Sequence, residues 1–224
     1  MARASTDRYG GIAKLVACAA SGPGSAAELF IVEGDSAAAA VASVRDPGTQ
    51  AVLPMQGKPL NAARAARGRV LGHPFFGPLV SALGVGIEAE CDPSQMRFRR
   101  VLVLTDPDAD GIHCGFLTLL FFHRWMRSLL DAGRIEIVRP PWGEVAVDGR
   151  PRLAFSEPEL ARLADEARGR GGLTVRRFRG LAALDAALLH DTCVAVGTRR
   201  SSVVSAADVA AMIECVAHLE SPGD

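Results

Sequence analysis

Arg100–Thr105 reads RVLVLT and runs without a break into Asp106–Gly111, DPDADG. An uninterrupted apolar run of this length suits a strand buried on both faces, as in a parallel sheet. The next stretch, Ile112–Leu130, carries apolar residues at helical spacing and is closed by Gly133. A cluster of carboxylates therefore stands where a buried strand hands over to a helix. Working outward, Glu28–Glu33 (ELFIVE) reads as a second buried strand, Ala37–Arg45 as a helix, Gln50–Leu53 as a brief strand stopped by Pro54, and Phe76–Leu83 as a helix ending at Gly84. Gly57–His73 is basic, rich in small residues and mostly loop. Ile135–Arg139 is a further strand, halted by Pro140-Pro141. Strands alternating with helices predict a mostly parallel α/β sheet covered by helices. Such sheets hold ligands at the carboxyl ends of their strands, where both Glu33 and Asp106 fall.

In extended backbone, side chains two residues apart project to the same side, so Asp106, Asp108 and Asp110 are expected to converge. Close carboxylates repel unless a proton or cation neutralises them. Mg²⁺, with Mn²⁺ as a substitute, suits an all-oxygen set. The second acidic motif is Glu33-Gly34-Asp35-Ser36-Ala37. An EF-hand loop also begins D-x-D-x-D-G, but its twelfth position requires Glu and here is Leu117, and a strand rather than a helix precedes it. An aspartyl phosphohydrolase shares D-x-D after a strand. A solvated acidic loop, and a simple helix-start turn capped by Asp35 or Ser36, remain open on these residues alone.

Bulk composition narrows the classes. The 224 residues are 49% hydrophobic with a formal net charge of zero, which argues for a packed core and against a free-standing, strongly basic nucleic-acid binder. Of 25 basic residues only Lys14 and Lys58 are lysine. Five cysteines, far apart and without a CxxC pair, predict reduced thiols rather than a zinc site or disulfide framework. No signal-peptide stretch opens the chain, and Phe116–Phe122 is too short to span a bilayer, so no membrane association is expected.

Residues 1–142 are expected to form one α/β domain and 143–224 a small α/β tail. Asp148-Gly149 predicts a hairpin turn, Ser156 an N-cap for a helix over Ser156–Arg168, and Gly169–Gly172 a break. Leu173–Phe178, Leu181–His190, Cys193–Val196 and Ala206–Leu219 supply the remaining elements.

The pair EGDSA and TDPDADG, with its surroundings, resembles the Toprim region of the type IIA topoisomerase B subunit family, that of gyrase B and topoisomerase IV. The likeness includes Ala13–Cys18 (AKLVAC), Leu53–Asn61 (LPMQGKPLN), Ala82–Ile87 (ALGVGI), His113 after the aspartates, Arg139-Pro140-Pro141 and, more faintly, Arg177–Leu181 (RFRGL). The resemblance implies a Rossmann-like Toprim sheet and Mg²⁺-dependent DNA strand cleavage and religation. It implies Glu33, Asp106 and Asp108 as metal ligands with Asp110 nearby, and Glu33 also as a general acid/base. Lys58 and His113 would assist the chemistry, and Lys14, Asp35, Ser36 and Lys58 would contact DNA. The implied partners are double-stranded DNA, a tyrosine-bearing A-type subunit and a separate ATPase subunit; the implied location is the cytoplasm, at the nucleoid.

Departures from the family pattern qualify these implications. The chain starts just ahead of the Toprim region, so the ATPase and transducer domains are expected to be lacking. No GxxxxGK[ST] occurs, because Pro59 follows Lys58, and no ATP site is expected. The sole tyrosine is Tyr9, in a polar arm, so the cleavage nucleophile must come from elsewhere. Gln56 replaces a basic residue, Pro107 separates two aspartates, Ala38-Ala39 replace Gly-Gly, and Ala182-Ala183 replace Gly-Glu. A stand-alone Toprim nuclease and a non-catalytic paralogue that binds DNA or a topoisomerase are the alternatives.

Overall fold

The computed structural model describes residues 11–169 and 171–220; Tyr9 lies outside them. β1 (Glu28–Glu33) is buried almost throughout, and its side chains alternate between two cores. Leu29 and Ile31 face one apolar cluster, Phe30 and Val32 the other. β2 (Gln50–Met55) and β3 (Arg100–Val103) divide in the same way. Continuous apolar runs are therefore what a strand covered on both faces requires.

β1 pairs in parallel with β2 and with β3, and β3 in parallel with β4 (Ile135–Val138). β8 (Ser201–Val203) adds an antiparallel edge, giving the order β2-β1-β3-β4-β8. The first core contains residues of α2 (Arg67–Leu71), α3 (Phe76–Leu83), α4 (Ala109–Trp125), α5 (Arg127–Asp131) and α8 (Ala206–Glu220). The second lies beneath α1 (Gly34–Val44) and α7 (Ala186–Leu189), with Phe178, Leu181 and Val194 packed in. The mostly parallel, helix-flanked α/β sheet is the expected fold.

Several boundaries differ from expectation. β2 continues through Pro54, because β2 is an edge strand. Val52 exchanges hydrogen bonds with Val16 on its outer side, at 2.8 and 2.9 Å. Two residues on, the missing N–H of Pro54 faces the same outer side, where no ladder bond is lost. α1 starts at Gly34 rather than Ala37, through a left-handed glycine with φ +63°. α4 begins at Ala109 and yields to α5 at Met126, whose φ of −140° interrupts the helix.

The Asp148-Gly149 turn joins β5 (Gly143–Val147) to β6 (Arg150–Ala154), and β7 (Thr174–Arg177) completes a small sheet in the order β6-β5-β7. α6 (Glu157–Glu166) packs on it through Leu160 and Leu163, and Ser156 caps the helix by accepting from Glu159 N at 3.2 Å. Of Cys193–Val196, Cys193 and Val194 belong to a π-helical turn, His190–Val194, and the edge strand is the mostly polar Ser201–Val203.

Candidate metal centre

Glu33 closes β1 and occupies the N-cap position of α1 without capping it through its side chain. Its Oε1 is buried and has no hydrogen-bond partner among the described residues. A buried carboxylate oxygen left in this state is costly unless something outside the chain satisfies it. Burial, then the charge of Asp106, drive the Glu33 pKa up to about 7; contact with the Cys114 thiol opposes the rise, and Asp108 and Asp110 add to it. Four acidic side chains therefore act on one another at the carboxyl end of the sheet. The Cys114 thiol is pushed up to about 11, by burial and then by the Glu33 charge.

The aspartates do not lie along one extended strand. β3 ends at Val103 and α4 starts at Ala109, so the motif bends instead of projecting three side chains to one side. Asp106 stays in the connecting loop, where its Oδ1 accepts from the backbone N–H of Leu181 at 2.8 Å. Burial pushes its pKa up, the Leu181 N–H opposes, and Asp108 adds a rise. Asp108 is the N-cap of α4 and accepts from Gly111 N at 2.8 Å. Asp110, in the first helical turn, is 85% exposed and pairs with Lys58 Nζ at 3.2 Å. The turn is tight: a Cβ on Gly111 would lie 2.1 Å from the Asp106 carbonyl oxygen, so only glycine fits.

The remaining expected residues flank these. Lys14, held at φ +65°, pairs with Asp35 at 2.5 Å, and that hydrogen bond holds the Asp35 carboxyl below its ordinary range. Ser36 is exposed beside it. His113 is exposed and lines a cavity of about 970 Å³ that also touches Asp106. Lys14, Asp35, Lys58 and Asp110 thus form two exposed ion pairs beside Glu33 and Asp106. Sequence reasoning missed two contributors. Cys114 lies one turn beyond Asp110 on α4, a spacing that could have placed it beside the acids. The Leu181 contact is made by a backbone N–H, for which no side-chain pattern exists.

Among the described residues, no three or more His, Cys, Asp or Glu side chains are already gathered in a metal-holding group. The donor set nevertheless fits a hard divalent cation. Glu33 presents an unsatisfied buried oxygen, and Asp106 and Asp108 each keep one oxygen free of hydrogen bonds among the described residues.

The structure is a parallel, helix-flanked sheet with acids at the ends of two adjacent strands, β1 and β3. The Toprim domain model matches residues 28–140, from the start of β1 to just past β4, and the chain belongs to the Toprim domain family. Its relatives include the DNA gyrase B subunit of Archaeoglobus fulgidus, 37% identical over 179 residues, or 80% of this chain. The DNA gyrase B subunits of Staphylococcus epidermidis and Staphylococcus aureus are 36% and 35% identical over the same length. The chain spans 28% of the length of each of these relatives.

Proposed function

We propose that this chain supplies the Mg²⁺-dependent half of a DNA cleavage–religation centre of the type IIA topoisomerase kind, in which a tyrosine-bearing partner chain provides the nucleophile. The observation that carries the reading is the buried, unpartnered Glu33 Oε1, raised to about 7 amid three aspartates. Glu33, Asp106 and Asp108 would hold Mg²⁺, with Mn²⁺ as a substitute and Asp110 alongside. When bound, the ion stabilises charge on the scissile phosphate and the leaving oxygen.

The chain's own groups supply the rest. Ligation of the ion would keep Glu33 ionised, so it would exchange a proton with the leaving 3′ oxygen, giving it on cleavage and recovering it on religation, only while its carboxyl is released from the ion. Lys58 and Lys14 exchange their exposed aspartate partners for backbone phosphates, a substitution that costs little because exposed pairs are weak. His113, Asp35 and Ser36 border the same strand path. With zero net charge, grip on double-stranded DNA depends on this local set and on partner chains, including an ATPase subunit. Among the described residues no helix is long and apolar enough to cross a membrane. On the DNA reading, the protein works in the cytoplasm, at the nucleoid.

The test combines the chain, a tyrosine-bearing A-type subunit and an ATPase subunit with supercoiled plasmid and Mg²⁺. Strand breaks covalently trapped on the partner tyrosine, lost without metal and lost in Glu33→Gln, are expected. Breaks unaffected by Glu33→Gln would overturn the reading.

A second reading, a non-catalytic paralogue that binds DNA or a topoisomerase, draws on Asp108 and Asp110 already being engaged by Gly111 and Lys58. It expects no trapped breaks, and a cellular effect unchanged by Glu33→Gln.

A further inference from the structure

The turn at Gly180-Leu181 lies in the C-terminal part of the chain, 75 residues from the acidic loop, yet it touches Asp106 directly. The Leu181 N–H donates to Asp106 Oδ1 at 2.8 Å. An added Cβ on Gly180 would stand 2.6 Å from Oδ2, 3.0 Å from Cγ and 3.2 Å from Oδ1 of the same carboxylate. Leu181 is fully buried in the second core, in the cluster that holds Phe30, Val32, Leu102 and Leu104. Bonds from Ala183 N to Gly180 O (3.0 Å) and from Leu184 N to Leu181 O (3.2 Å) close the turn on itself. Position 180 is thus fixed by packing on one side and by the carboxylate on the other.

We infer that Gly180-Leu181 is part of the metal site: it holds Asp106 by Oδ1 and leaves Oδ2 as the one oxygen offered to a divalent cation. The inference rests on the metal reading proposed above. An aspartate in a loop otherwise turns about its side-chain bonds, and a cation would have to hold it against that freedom. An N–H on one oxygen sets the direction of the other, as groups behind a ligand commonly do. Glycine at 180 is what permits the approach, since any side chain there would occupy the space beside Oδ2. Leu181 and Gly180 are positioning residues, acting through Asp106. The C-terminal part of the chain therefore contributes to the site itself.

Mn²⁺ binding to the whole chain, followed by calorimetry and by the electron-spin signal of free Mn²⁺, tests this without reference to activity. Gly180→Ala is expected to weaken Mn²⁺ binding roughly 10–100-fold, the usual effect of losing a group that orients a ligand. Gly197→Ala, where an added Cβ meets nothing within 4 Å, should leave it unchanged. In an Asp106→Ala background, where the clashing atoms are gone, Gly180→Ala should cause no further loss of binding and no drop in melting temperature.

Wild-type affinity in Gly180→Ala overturns the inference and leaves the metal reading standing. A wild type that binds no Mn²⁺ sinks both. Should Gly180→Ala not fold, the wild type still decides by nuclear magnetic resonance. The Leu181 amide proton must shift on adding Mg²⁺ and lose its exchange protection in Asp106→Ala; an amide that responds to neither overturns the inference.

Discussion

Arg199 grips Glu28 with both arms of its guanidinium, Nη2 to Oε1 at 2.5 Å and Nη1 to Oε2 at 2.7 Å, across 171 residues of chain. Both side chains are almost fully buried, and Gln50 adds a third bond to Glu28 at 3.0 Å. Arg100 and Ser201 continue the network to Glu136, so polar side chains join all five strands at the amino end of the parallel set. The strand whose far end carries Glu33 is anchored at its near end by a residue from beyond position 190.

Breaking this pair leaves a buried charge. Arg199→Met is expected to destabilise the fold by about 3–5 kcal/mol in urea denaturation, whereas Glu28→Gln combined with Arg199→Met should recover most of the loss. Burial pushes Glu28 up, but the bonds from Arg199 and Gln50 outweigh it and leave its pKa below the ordinary value. Its contribution is therefore present at neutral pH and lost as pH falls through that depressed value; the double variant should lack this acid-side step.

Glu33 carries the opposite sign. Its folded pKa is about 7 against an ordinary value of 4.5, so between those values the native state holds more protons than the unfolded chain. Stability of the metal-free protein should fall as pH rises from about 4.5 to about 7. Glu33→Gln should flatten that decline, and Mg²⁺ should oppose it above neutral pH. Thermal melts across this range, with and without chelator, provide the check.

Much of this architecture is legible in sequence, for a physical reason. Strands buried on both faces leave continuous apolar runs, and ELFIVE and RVLV stand out accordingly. Pro54 misled because its lost N–H matters only in an interior strand, and nothing local reveals that β2 is an edge. Ser201–Val203 is short, mostly polar and antiparallel at the opposite edge, so it leaves no apolar signal. Within the site, Glu33 is readable as the acid at a strand end. The bend that turns Asp108 into a cap and sends Asp110 to Lys58 depends on where β3 stops, which the i, i+2, i+4 spacing does not encode.

Gly111 tests the bend itself. With a Cβ placed 2.1 Å from the Asp106 carbonyl oxygen, Gly111→Ala must shift the acidic loop. A destabilisation of about 1–3 kcal/mol is expected, from urea midpoints, together with weakened Mn²⁺ binding. Unchanged metal affinity would show that the loop's course does not matter to the site.

Lys58 tests the DNA path. If it contacts one phosphate, Lys58→Ala should weaken DNA binding by the partnered assembly about equally across sequences and reduce the salt-dependence slope by about one. Fluorescence anisotropy over a salt series measures both. A slope that does not change places Lys58 off the DNA.

Titration of the Glu33 carboxyl carbon by nuclear magnetic resonance shows whether this half-buried acid awaits a cation shared with its aspartate neighbours. A midpoint near 7 is expected without metal. Adding Mg²⁺ should lower it markedly, and less so in Asp106→Asn. A midpoint at the ordinary value for a glutamate, or one that Mg²⁺ leaves unmoved, would contradict that reading of Glu33.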